Sequence, residues 1–312
     1  MRAAFIRALL GLAERDDRIY LVVGDLGYSI VEPFVERFPT RYLNVGVAEQ
    51  NMTGIAAGMA LCGKVVFTYS IANFPTLRCV EQIRNDVCYH NADVKIVSVG
   101  GGLAYGALGI THHATEDIAV MRALPNTVVV APGDPVEAEL ATRAVVEQPG
   151  PCYLRLGKSG EPRIHEPGVD FCLGKAITVR EGDDLCLVAT GSMLYKAVKV
   201  AELLSRDGIQ ARVLSMHTLK PLDTEAILGA ARETAAIVTL EEHSVTGGLG
   251  SAVAETLAES SEFRVPFKRL GLPPVFTSLV GNHGYLQEAY SLSVEGIRRL
   301  LEPILEQVRS VK

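Results

Sequence analysis

Four short stretches of this chain place acidic, basic or hydroxyl side chains just beyond or inside apolar runs. Asp25 and Ser29 follow IYLVV in VVGDLGYS, and Glu49 lies in LNVGVAEQNMTGIAAGMAL. His112 and His113 are trailed by Glu116 and Asp117, and Arg155 stands inside YLRLGK. A carboxylate or imidazole in a cleft can move protons, and a guanidinium grips an anion through two parallel N–H bonds. Each residue also has a plainer structural reading. Met52, Ile55, Ala56, Met59 and Ala60 give the segment after Glu49 a helical apolar face, so Glu49 suits the helix dipole or pairs with a base such as Arg84. Asp25 and Ser29 suit turns and caps. Arg155 is either a solvated edge position or an anion binder aimed into a cleft.

Adjacent histidines cannot both face one site on a helix, and no H-E-x-x-H spacing occurs, so no metal site is expected here. One ring reaching a substrate pocket, a helix cap or a surface position are the remaining readings. The run GGGLAYG at 100–106 fails the dinucleotide frame because Tyr105 stands where the third glycine is required. No G-x-x-x-x-G-K-[ST] loop is present. What remains is a glycine-rich loop at a strand's carboxyl end, where open α/β sheets bind ligands.

The elements that must position these residues alternate. IYLVVGD, KVVFTYS, KIVSVGGG and TVVVAPGD read as strands, separated by helical patterns after Glu49, around LRCVEQIRNDVCYH and over PVEAELATRAVVEQ. This rhythm predicts a mainly parallel sheet with helices on both faces. The Pro- and Gly-rich stretch at 158–175 lacks periodicity and marks a boundary. A second alternation follows: DDLCLVATG, MLYKAVKVAELLSRDG, ARVLSMHT, a helix near 223–234, AAIVTLEEH, a helix from about Gly250, FKRLGLP and a last helix after Ser293. The fold class is therefore α/β, with domains at 1–160 and 175–312 and a linker at 161–174.

A hydrophobic content of 48% over 312 residues is enough for two cores. The formal net charge of -6 offers no basic field for nucleic acid. No uncharged run approaches the roughly 18 residues of a membrane span, and the N-terminal stretch reads as a retained amphipathic helix. The six cysteines lack any C-x-x-C pair, which favours buried thiols in a reducing cytoplasm.

Taken together, VVGDLGYS, LNVGVAEQNMTGIAAGMA, VVFTYS, VEQIRND, GITHHATEDIAVMRALPNTVVVAPGD and YLRLGK, in that order, resemble the pyrimidine-binding domain of the transketolase family. HSVTGGLGSAVAETL and the late GNHG resemble that family's C-terminal domain. The resemblance implies thiamine diphosphate as cofactor, with Glu49 on N1′ of the aminopyrimidine, where pairing favours loss of the thiazolium C2 proton. It places Asp25 and a stacking ring, Phe74 or Tyr69, beside the cofactor. It puts His112 near the reacting carbons, and Arg155, Ser29 and Arg2 on the sugar phosphate.

The implied reaction is transfer of a two-carbon ketol unit from a ketose or ketose phosphate to an aldose. The family's diphosphate- and Mg²⁺-binding half is not among the motifs of this sequence, so the resemblance implies a split enzyme with an N-terminal-half subunit holding Mg²⁺, in an α2β2 assembly. Gly54 and Gly58 make the helix from Glu49 a candidate interface element. Two positions depart from the family pattern. A phosphate-binding histidine would fall near Gly100, and a hydroxyl-reading aspartate at Leu108. These departures point to a modified donor or acceptor. Related readings are a 2-oxoacid dehydrogenase beta subunit or a deoxyxylulose-phosphate-synthase-like enzyme, and, outside the enzymes, a regulatory paralogue.

Overall fold

A computed structural model describes residues 1–260 and 265–311. Its strands, in chain order, are β1 (Ile19–Val23), β2 (Tyr42–Asn44), β3 (Val65–Ile71), β4 (Val94–Val99), β5 (Val128–Val130), β6 (Cys152–Leu156), β7 (Ile177–Arg180), β8 (Leu185–Ala189), β9 (Ala211–Ser215), β10 (Thr218–Lys220), β11 (Ile237–Ser244) and β12 (Phe267–Leu272). Among the described residues they form two sheets, in the orders β10-β5-β6-β4-β3-β1-β2 and β12-β11-β8-β9-β7. Pairing is parallel except for β10 on β5 and β7 on β9. Every residue of β4, β6 and β8 is buried, as strands covered by helices on both faces require.

The helices start where local chemistry allows. Asp134 accepts from the Glu137 N–H at 2.7 Å ahead of Pro135–Glu147, whose first residue needs no N–H donor. Asp223 and Asn282 cap Thr224–Glu233 and His283–Ala289 in the same way. The expected helix around 77–90 is composite: a 3-10 turn, one α turn and a π segment at Ile83–Cys88. Among the described residues no helix is long and apolar enough to cross a membrane.

Among the described residues, three apolar clusters form the core. One packs Phe5 and Leu9 of helix Arg2–Ala13 against Phe34 and Phe67. Another lies mainly in the second half around Leu187, Leu204 and Leu301, and takes in Leu103 of the first. The third crosses between the halves, joining Met52, Ile83, Ile96 and Tyr153 to Val188, Met216, Leu249 and Val253. The stretch at 158–175 contains no helix or strand, yet it is docked. The N–H groups of Ile164 and His165 both reach Asp134 Oδ2 at 2.8 Å, and His165 Nε2 lies 2.7 Å from Glu137 Oε1.

Strand β10 crosses from one half to the other. It follows β9 in the second alternation but adds to the outer edge of the first sheet. The run ARVLSMHT, which reads as one strand, therefore divides after Ser215, and its last residue, Thr218, opens β10 in the other sheet.

A buried carboxylate near the carboxyl ends of the strands is one of the links between the halves. Glu242 of β11 is 1% exposed and accepts from the Leu103 N–H of the first half at 2.7 Å. It also accepts from Ser192 Oγ at 3.0 Å and Gln287 Nε2 at 2.7 Å, and His283 Nε2 lies within 2.9 Å of both its oxygens. Burial alone raises a carboxyl's pKa, but His283 and the donors around it outweigh burial and hold Glu242 at about 2. A depressed native pKa adds stability that is present above the ordinary carboxyl value of 4.5 and is lost as the pH falls toward 2. The group's contribution is on the order of 3 kcal/mol. Urea unfolding should show this loss between pH 5 and pH 2.5, and Glu242→Gln, weaker at pH 5, should show a shallower fall.

Candidate functional site

The strand order places the candidate residues on one edge. From β1 the chain steps to β2 on one side and then to β3 on the other, so a switch point opens beside β1. The segment Gly24–Ser29 follows β1, Glu49 follows β2, Phe74 and Arg78 follow β3, and the loop from Gly100 to His112 follows β4. Arg155 ends the group within β6.

Glu49 is the first residue of helix Glu49–Leu61 and is 1% exposed. Its Oε2 accepts from Arg78 Nη1 at 2.7 Å, whereas its Oε1 is buried without a hydrogen-bond partner. The basic partner is thus Arg78 rather than Arg84, whose Nη1 bonds Asn85 Oδ1. Gly24 lies against this carboxylate. A Cβ there would come 3.3 Å from Glu49 Cγ and 3.6 Å from Oε1, so glycine keeps the space beside the unpaired oxygen open.

Aromatic rings continue the wall. The Arg78 guanidinium sits 4.7 Å from the Phe74 ring centre, and the Phe74 ring meets His112 edge-on at 5.0 Å. His112 lies 6.5 Å from Tyr105, and its Nδ1 is 3.0 Å from Thr111 Oγ1. The neighbouring His113 points inward, and burial depresses its pKa. Only one of the paired histidines therefore faces the cleft. Tyr69 is placed differently from Phe74: it is buried in the core and stacks on Phe5 at 5.9 Å, and burial pushes its phenol up to about 12.

The remaining candidates divide. Asp25, at φ 55°, holds the β1 and β2 loops together, with its N–H on Asn44 Oδ1 at 3.0 Å and its Oδ1 accepting from Asn44 Nδ2 at 2.9 Å. Ser29 is exposed, at φ 63°, and its N–H bonds Glu32 Oε1. Arg2 is half-buried with Nε unpartnered, and its charge is felt by both Tyr69 and Tyr105.

Arg155 is 5% exposed and heavily committed. Nε bonds Asp117 Oδ2 at 2.7 Å, and Nη2 bonds the carbonyls of Ala114 and Glu242 at 2.9 and 3.0 Å. Nη1 is left beside Gly101, at the wall of a cavity of 520 Å³ between the two halves. Burial would raise the pKa of Asp117, but Arg155 outweighs burial and keeps it below the ordinary value. Tyr153 adds an O–H bond to Asp117 Oδ2 at 2.5 Å.

Sequence reasoning missed Arg78, Asp117 and Glu242. Asp117 had a signal, a second acid just after the His112–His113 pair, and Glu242 had one too, adjacent acids in an otherwise apolar strand. Arg78 carried none.

The transketolase pyrimidine-binding domain model matches residues 1–162, and the transketolase C-terminal domain model matches residues 174–297. One subunit of the apulose-4-phosphate transketolase of Phocaeicola vulgatus is 41% identical over 298 residues, which span 95% of this chain and 94% of that protein. Subunit SqwH of the 6-deoxy-6-sulfo-D-fructose transketolase of Clostridium sp. (strain MSTE9) is 40% identical over 308 residues, spanning 98% and 95%. A solved split-gene transketolase, an inactive beta4 tetramer, superposes with a TM-score of 0.88 at 39% identity and covers 98% of each chain.

The Arg155–Asp117 pair yields a stability test. Losing Arg155 leaves a buried carboxylate uncompensated, which costs about 3–5 kcal/mol. Denaturant unfolding of Arg155→Met should show a loss of that size.

Proposed function

This chain belongs to the transketolase family as a subunit of the split type, and on that footing we propose how its residues divide the work. Thiamine diphosphate supplies the carbon nucleophile and electron sink that cleavage beside a ketose carbonyl needs, chemistry no side chain offers. The fit rests on one observation. Glu49 Oε1 is a buried acceptor without a partner, and Gly24 leaves room next to it. A buried carboxylate oxygen of this kind calls for an N–H or protonated ring nitrogen, and the aminopyrimidine N1′ answers that need.

Glu49 Oε1 holds the proton at N1′, and Arg78 on Oε2 balances the buried charge. Phe74, half-buried on the cleft wall, presents its ring to the pyrimidine, while Tyr69 supports from the core. Asp25 fixes the loop that carries Gly24. His112 touches the substrate near the reacting carbons, where an imidazole can hold or pass a hydroxyl proton. Arg155 through Nη1, Ser29 and Arg2 hold the charged end of the sugar.

The reaction in this reading is transfer of a two-carbon ketol unit from a ketose to an aldose. The diphosphate and Mg²⁺ are held by an N-terminal-half subunit, in an α2β2 assembly within the cytoplasm. The domain division at 1–160, 161–174 and 175–312 belongs to the same proposal. Mixing the chain with that partner and thiamine diphosphate should produce ketol transfer. Glu49→Gln should keep the circular-dichroism spectrum and the assembly but lower kcat by on the order of 10²–10⁴. Activity within a few-fold of wild type would refute the assignment.

A further inference from the structure

The 520 Å³ cavity beyond Arg155 is of a size that suits a small-molecule ligand. Its wall combines the Gly100 loop, the turn after β6 and the start of helix Met193–Arg206. The charges on that wall do not cancel. Glu161 is taken by the N-terminal ammonium at 2.8 Å, and Glu242 is saturated by the donors described above. Lys158 and Lys196 line the same cavity, and among the described residues neither forms an ion pair with a carboxylate. The cavity therefore presents unbalanced positive charge beside Arg155.

Gly100 explains how one of these cations is placed. Its φ of 78° suits glycine, and a Cβ there would fall 2.2 Å from Tyr105 Cε2. The Tyr105 ring fills the volume that a side chain at position 100 would need. Lys158 Nζ sits 4.6 Å from the centre of that ring, a cation–π contact that orients an otherwise exposed ammonium. The same ring lies 6.5 Å from His112, so Tyr105 joins the cavity to the wall that leads through Phe74 and Arg78 to Glu49.

We propose that Lys158, seated over Tyr105, reads a tetrahedral oxyanion at the far end of the sugar substrate, in place of the side chain that Gly100 lacks. The inference deepens the transketolase reading and rests on it for the identity of the ligand as a sugar. Phosphate and sulfonate ends share the chemistry, so both are tested. An ammonium as a point charge tolerates either geometry, which a bidentate guanidinium fork discriminates more strongly.

The experiment uses the reconstituted two-subunit enzyme with three donors: fructose 6-phosphate, 6-deoxy-6-sulfofructose and uncharged fructose. Lys158→Met should raise KM for whichever charged donors the wild type uses by about tenfold or more, with kcat within about twofold and kcat/KM for fructose unchanged. Tyr105→Phe, which keeps the ring, and Lys158→Arg should retain most of the affinity. Equal kcat/KM changes for charged and uncharged donors, or no change at all, would overturn the proposal.

A second readout needs no turnover. Inorganic phosphate should raise the Tm of the full chain, and Lys158→Met should abolish the rise. An identical rise in both proteins, or none in the wild type, counts against Lys158. An assembly that transfers from no ketose while the phosphate effect persists would sink the transketolase reading alone.

Discussion

A carboxylate cut off from water must find donors or give up its charge, and in this molecule that requirement organises the whole cleft edge. Asp117 and Glu242 are both buried, and each draws groups from distant parts of the chain. Asp117 takes Arg155 and Tyr153 from β6. Glu242 takes a backbone N–H from the glycine-rich loop and three side chains from the second half. Arg155 also donates to the Glu242 carbonyl, so the two acids share one network. The position of the loop, the orientation of Arg155 and the meeting of the sheets follow from satisfying these charges together.

Glu49 is the exception within this pattern. One oxygen is paired and the other is buried without a donor, an arrangement that costs stability in isolation. Local polar dissatisfaction of this kind concentrates where a ligand completes the set. The glycine at position 24 fits the reading, since a Cβ there would press on the Glu49 side chain, 3.3 Å from Cγ. In the proposed reading, that oxygen is the acceptor that the aminopyrimidine N1′ would meet.

Much of the fold was legible because parallel strands buried on both faces read as continuous apolar runs. IYLVV, VVFTYSI and VKIVSV appear as strands close to where the spacing predicts them. The helix after Glu49 and those at Pro135–Glu147 and Met193–Arg206 were equally plain from apolar spacing. Short elements were not legible. Helix Glu32–Arg37 and strands β2 and β7 contain too few residues for a period to show, and β10 is assigned to its sheet by tertiary pairing alone. The candidates Glu49, His112 and Phe74 stood out from sequence motifs, whereas their arrangement along one cleft wall did not. Arg78 became visible only once the irregular helix after β3 turned it onto Glu49, and the placement of Phe74 on the cleft wall and Tyr69 inside depended on which ring the core claimed.

Strand β10 has a meaning beyond topology. The outermost strand of a sheet exposes a row of free backbone donors and acceptors that can template pairing with another chain. Here the outermost strand of the first sheet is three residues delivered from the far half, and Pro221 follows at once, removing the next N–H. Lys220 turns its ammonium onto the carbonyls of Arg122 and Leu124 instead of leaving them for a stranger. The second half thus supplies the border of the first sheet, and the edge it presents is only three residues long.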